Sequence, residues 1–333
     1  MNDVETVPPP PPRRGTRPLR ALLTVAAGVL ICGGLIWSRA RPPGGSTDRL
    51  ATPVGGLNCL QFSPDALGQY LAAGAAGGEV LLWETATRTL RPVTLPTRRP
   101  ITAIALSTDG WLAAGGAEQH VLAWDIANSR AKKLPIFPAP ITAIQNRPQS
   151  SELVVALSNG ELNFVNLQSG KIDKLAGGHG GGIKTLAFNP AGTQLVTGGT
   201  DGKLIWRDAK TRQVFRTVEA HTHEISSVAF APDGLLFVSG SWDGSAKLWT
   251  ASDGTLQAEL PHPDAVSCVG CTPTQVVTGC WDGKLRFWPY AGGSPTAEFE
   301  TGEALHALAV HPRGDVVATV AQGPVVQFWK SPR

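Results

Sequence analysis

The chain has 333 residues, enough for two average domains or one large β architecture. Hydrophobic residues make up 42 % and charged residues 17 %, so a large core can be buried and a mostly disordered chain is excluded. A net charge of +3 is too mild for an extended nucleic-acid surface, and 5 cysteines are too few for a disulfide scaffold.

From the N-terminus, a Pro- and Arg-rich tail (residues 1–20) contains the run Pro8–Pro12, which favours polyproline II as a stiff spacer or as a ligand for a proline-reading domain. An uncharged stretch then runs from Ala21 to Trp37 between Arg20 and Arg39. It predicts a single transmembrane helix over 21–38, with Trp37 as interfacial anchor. The alternative is a cleaved secretory signal at Ser38-Arg39-Ala40, a site crowded by Arg39, Arg41 and Pro42. A lipoprotein box ending at Cys32 has Ile31 where a small residue is required. Arg13, Arg14, Arg17 and Arg20 precede the span, against Arg39, Arg41 and Arg49 after it. That count tips the N-terminus inside and the rest of the chain outside the cytoplasm. A linker of about eight residues, 39–46, reaches at most about 30 Å and would hold the remainder of the chain against the membrane.

Beyond the linker the sequence repeats. Aligned on their small-residue turns, equivalent positions fall at Trp83, Trp124, Val165, Arg207, Trp249, Trp288 and Trp329, each 39 to 42 residues after the one before. Within each unit, apolar runs of strand length such as Ile101–Leu106 and Ile141–Ile144 alternate with turn residues. Asp-Gly or Asn-Gly recurs at Asp109-Gly110, Asn159-Gly160, Asp201-Gly202, Asp233-Gly234, Asp243-Gly244 and Asp282-Gly283. These dipeptides supply the positive φ of tight hairpins. Each unit therefore predicts a four-stranded antiparallel meander. The last unit stops after its third strand, and Thr47–Thr52 matches the fourth-strand pattern of Ser252–Gln257. Residues 47–53 are thus expected to pair with Val325–Trp329 and close the ring, removing both sheet edges.

The motifs Gly178-His179, Ala231-Pro232-Asp233-Gly234, Ser239-Gly240-Ser241-Trp242-Asp243-Gly244 and Trp124-Asp125 make residues 47–330 resemble the WD40 repeat family. That resemblance implies an all-β, seven-bladed propeller. It also implies structural tetrads of His, Ser/Thr, Asp and Trp: His221, Ser239, Asp243 and Trp249 in blade five, His262, Thr278, Asp282 and Trp288 in blade six. Blade four keeps His179, Thr197 and Asp201 but has Arg207 in the Trp position with Trp206 one place early, so it is either bulged or rewired. The other blades lack the His, which would concentrate stability in blades five and six.

In this family partners usually dock on the face carrying the interblade loops and the turns after each second strand. On that face the resemblance places Trp242, Trp281, His223, Glu224 and Thr200 as candidate partner-binding residues; the competing reading folds both indoles over their own turns. Arg98-Arg99 could add a basic contact or be solvated loop charge.

Other chemistry is poorly supported. His221-Thr222-His223 has metal-ligand spacing, but the tetrad claims His221. Gly177–Thr185 imitates a phosphate loop, yet Ile183 interrupts the Gly-Lys pair and a strand comes next, so a flexible upper-face loop is expected. Cys268 and Cys271 on a strand point to opposite faces, and Cys59 and Cys268 read as small buried residues. No catalytic motif stands out, and no metal or cofactor is expected. The expected function is a membrane-anchored, non-catalytic protein-interaction scaffold, with an extracytoplasmic sensor or ligand-binding propeller as the rival and an enzyme using the channel mouth behind both.

Overall fold

The computed structural model describes residues 46–93, 97–321 and 323–332. The expected membrane span, 21–38, and the polyproline run lie outside these residues. Among the described residues no helix is long and apolar enough to cross a membrane.

Seven four-stranded antiparallel sheets form the blades of a propeller. Blade five shows the plan: strand a is Ile225–Phe230, b is Leu236–Ser241, c is Ser245–Thr250 and d is Leu256–Pro261. The a strands of successive blades pack beside one another around the ring, and the d strands form the rim. Burial obeys this order. Strands b and c are buried almost throughout, whereas d strands such as Val214–Glu219 are exposed along nearly their whole length. Core side chains are shared between neighbouring blades, as where Trp206 of blade four packs against Phe237 and Trp249 of blade five.

The seventh blade is built from both ends of the described chain. Strand Ser46–Ala51 runs antiparallel to Val325–Lys330, with Leu50 opposite Val326 and Asp48 opposite Phe328. Its a and b strands are Ala307–Val310 and Val316–Val320.

A register shift recurs at the second residue of strand a in blades one to six, for example between Ile101 and Ala103 and between Val266 and Cys268. A β-bulge re-aims the side chain that it carries. Here it turns four of those side chains onto the next blade's backbone. Asn58 donates to the Ile101 carbonyl (3.0 Å), Thr102 to Ile141 (2.8 Å), Ser226 to Val266 (2.5 Å) and Ser267 to Leu305 (2.6 Å). Further down the same strands, Gln61 accepts from Leu106 N–H and Gln145 from Phe188 N–H. The ring is thus stitched by side-chain-to-backbone bonds that no single blade could make.

Candidate functional site

Two of the b–c turns carry an indole outward. Trp242 and Trp281 each stand just before a turn aspartate. Trp242 N–H donates to the Glu224 carbonyl at 3.2 Å, and Trp281 N–H to Ala265 at 3.0 Å, so each turn is tied to the loop entering its own blade. Trp242 and Trp281 are 43 % and 40 % exposed, and their ring centroids lie 5.1 Å apart at 50°. They face one another across the seam of blades five and six instead of folding separately over their own turns. Tilted aromatic pairs at this spacing are favourable beyond the area they bury.

Lys184, absent from the residues expected on this face, completes the patch. It occupies the bulged second position of strand a in blade four, where Asn58, Thr102, Ser226 and Ser267 stand in their blades. Its longer side chain reaches into blade five, with Nζ 3.2 Å from Glu224 and 5.5 Å over the Trp242 ring. The signal lay in the alignment of units: a single lysine at a position otherwise held by short donors. Glu224 therefore belongs to the patch by both its carboxylate and its carbonyl. His223 is exposed in the same loop, its carbonyl accepting from Ser241 Oγ at 3.3 Å. Thr200 is exposed but stays with the blade-four loop, its N–H donating to Gly182.

That blade-four loop, Gly177–Gly182, is pinned. Asp201 accepts from Gly180 N–H at 2.7 Å and from His179 at 3.0 Å. The expectation of a flexible glycine loop gives way to one fastened by the Asp-Gly turn beneath it.

The tetrads differ from blade to blade. In blade five the chain is complete: Trp249 Nε1–H donates to Ser239 Oγ (2.9 Å), Ser239 to His221 Nε2 (2.8 Å), and His221 Nδ1–H to Asp243 (2.9 Å). This direction requires a neutral imidazole, and burial pushes the His221 pKa down, as it does for His179. The blade-six tetrad is corrected by the structure. Trp288 and Thr278 connect to His262 Nε2, but His262 Nδ1–H turns to the Leu260 carbonyl at 2.9 Å. Asp282 is instead gripped by both guanidinium nitrogens of Arg286, a buried arginine that also meets Glu298. A charge-assisted two-pronged pair outcompetes a single bond from a neutral histidine. Burial, without a carboxylate partner, lowers the His262 pKa to about 4.

Blade four is rewired. Arg207 fills the Trp position, 4 % exposed, and donates to the Gly177 and Ala176 carbonyls, while Trp206 points to the other side of the sheet and is fully buried. Blade seven keeps half a tetrad, Trp329 Nε1–H donating to Thr319 at 2.8 Å.

Among the described residues no group of three or more His, Cys, Asp or Glu could hold a metal ion. Cys268 and Cys271 are buried, and desolvation pushes both thiols up to about 12, as it does Cys59, which is only partly buried by exposure. Such thiols are poor nucleophiles at neutral pH.

The family model described as WD domain, G-beta repeat matches residues 171–208, 212–250 and 252–289, about a third of the chain. Those segments fall on blades four, five and six, where the tetrad histidines lie. The chain is also 28 % identical over 126 residues to Periodic tryptophan protein 2 homolog of Schizosaccharomyces pombe, a match covering 37 % of this chain and 14 % of that protein. With seven four-stranded blades on one plan, the chain is a seven-bladed β-propeller, and three of its blades match the WD domain, G-beta repeat.

Proposed function

We propose that this propeller is a non-catalytic protein-interaction scaffold that docks its partner on the upper face over blades four to six. The exposed, mutually facing Trp242 and Trp281 carry this reading. Tryptophan is the residue most enriched at interaction hot spots, and an indole pair already packed ring on ring, with Lys184 over one of them, loses little entropy on binding. Lys184 and Glu224 add a charged rim, with His223 beside them and Thr200 at the margin. WD40 proteins generally bind other proteins, which supports the same class of function.

We further propose that the chain is membrane-anchored through residues 21–38 with the propeller outside the cytoplasm. The uncharged stretch Ala21–Trp37 and its arginine flanks support this.

Two experiments test the proposal. Crosslinking capture in the native host, repeated with a Trp242→Ala/Trp281→Ala double variant, should lose a specific partner while the melting temperature stays within a few degrees. Retention of every captured protein by a folded double variant sinks the docking site. A C-terminal tag on intact cells should be digested by added protease; protection until lysis reverses the orientation.

A further inference from the structure

Strand a ends on an apolar residue in six of the seven blades: Phe62, Leu106, Phe188, Phe230, Cys271 and Val310. In blade three it ends on Asn146. These last side chains fill the seam toward the preceding blade, as Phe188 does beside Val154 and Phe164 of blade three. Asparagine is smaller than phenylalanine and polar, so it packs the seam of blades two and three less fully. A cavity of about 370 Å³ lies there, on the lower face, opposite Trp242 and Trp281. Its volume is within the roughly 300–1,000 Å³ of small-ligand sites.

The next-to-last residue of strand a departs from the repeat as well. Five blades have Ala105, Ala187, Ala229, Gly270 and Ala309 there, whereas blade one has Gln61 and blade three Gln145. Both glutamines line the same cavity as Asn146, from blades on either side of blade two, and all three residues are partly exposed.

Their hydrogen bonds decide what the cavity offers. Gln61 Oε1 accepts from Leu106 N–H at 2.7 Å, and Gln145 Oε1 from Phe188 N–H at 3.0 Å. A backbone N–H can only donate, so each oxygen is fixed as the acceptor and each amide nitrogen keeps both hydrogens for other partners. Among the described residues neither nitrogen has an acceptor, and neither is closed off from solvent. Asn146 Nδ2 is covered and unpartnered, and a half-turn of the amide exchanges it with the open Oδ1. The cavity is therefore rich in donors. Among the described residues no aspartate or glutamate lines it, and Arg147 is its one charged residue. Arg147 Nε is held by the Gly192 carbonyl at 2.8 Å and Nη1 by Glu152 at 3.4 Å, which fixes the guanidinium in place.

From these observations we infer that the lower cavity at the seam of blades two and three binds a small dicarboxylate. Donors without acceptors select a ligand rich in lone pairs, and a cation with no carboxylate in the lining favours an anion. Gln61 and Gln145, on opposite sides of blade two, serve the two ends, and Asn146 leaves the room between them. Hydrogen bonds to an ionised carboxylate are stronger than those to a neutral acceptor.

The test uses purified full-length chain in a carboxylate-free buffer, with succinate as probe and succinamide as its neutral counterpart. Calorimetric titration and melting temperature give the readout. Saturable binding with an upward shift is expected for succinate, and weaker binding for succinamide. Asn146→Phe, which copies Phe188, should fill the cavity and lose the binding. Asn146→Leu, which copies Leu106, serves the same purpose should the larger ring fail to fold. Gln61→Ala, which copies Ala105, should weaken the apparent Kd about tenfold, the scale of a lost hydrogen bond to a charged group. No saturable binding of succinate by the wild type overturns the site, as does undiminished binding by a folded Asn146 variant. Equal affinity for succinate and succinamide overturns the assigned anion.

Discussion

Arg88 pairs with Asp48 of the closing strand and lies 5.2 Å over Phe328, the residue directly opposite Asp48 in the strand register. Arg212 repeats the arrangement at the seam of blades three and four, 3.0 Å from Asp173 and 4.2 Å over Phe164, which oppose each other in the same way. Both arginines occupy left-handed turn positions, with φ of 57° and 64°, and each hooks its blade onto the one before. At the closing seam the hook engages the strand contributed by the other end of the ring. Asp48→Asn should lower stability by about 1 kcal/mol or less, since the pair is partly solvent-screened. Urea titration of an Asp48→Asn/Arg88→Ala cycle should show positive coupling that shrinks in high salt. Additive single effects would mean that the pair does not hold the seam.

Trp83 is 1 % exposed and its Nε1–H has no acceptor, whereas Trp249, Trp288 and Trp329 each donate to a Ser or Thr ten residues earlier. Blade one has Ala73 at that position. Ala73→Ser should supply the missing acceptor and stabilise the propeller by about 1 kcal/mol, the net worth of a buried hydrogen bond. The gain should vanish in a Trp83→Phe background, and a loss of stability in both backgrounds would indicate overpacking instead.

Arg207 is a buried cation satisfied by carbonyls, with Nε unpartnered, and burial pushes its pKa down. Apolar replacement of buried ionic groups often stabilises. Arg207→Trp would place an indole ten residues after Thr197, as in blade five. A rise of about 1–3 kcal/mol is expected from chemical denaturation. A fall would show that the arginine's hold on the Gly177 loop outweighs the cost of burying its charge.

His262 has a folded pKa of about 4, below the ordinary value of 6.5. A depressed folded pKa means that the unfolded state binds the proton first, so stability is full above pH 6.5 and declines as pH falls toward 4. The loss attributable to this site is on the order of 3 kcal/mol. His179 and His221 are shifted in the same direction and steepen the decline. Stability measured from pH 7.5 to 4 should fall less steeply for His262→Gln than for the wild type. An identical slope would place the acid sensitivity elsewhere.

The spacing from Trp83 to Trp329 made the blades legible, because each is a local meander whose strands and Asp-Gly turns succeed one another along the chain. Blade five was legible for the same reason, its four tetrad members all lying within one unit. Blade six was not. Arg286 sits four residues beyond Asp282 in plain view, but only the hairpin geometry aims its guanidinium at that carboxylate. Lys184 stayed hidden because a bulge, which depends on pairing with strand b, decides where its side chain goes.

Period and turn chemistry alone thus determined the seven-unit all-β architecture, since alternation and positive-φ dipeptides act over a few residues. Tertiary structure decided what lies between the blades: the Trp242–Trp281 contact and the arginine hooks. Each joins residues from different units, and the space between two blades is set by the sum of side-chain volumes from both. No single stretch of sequence contains that sum.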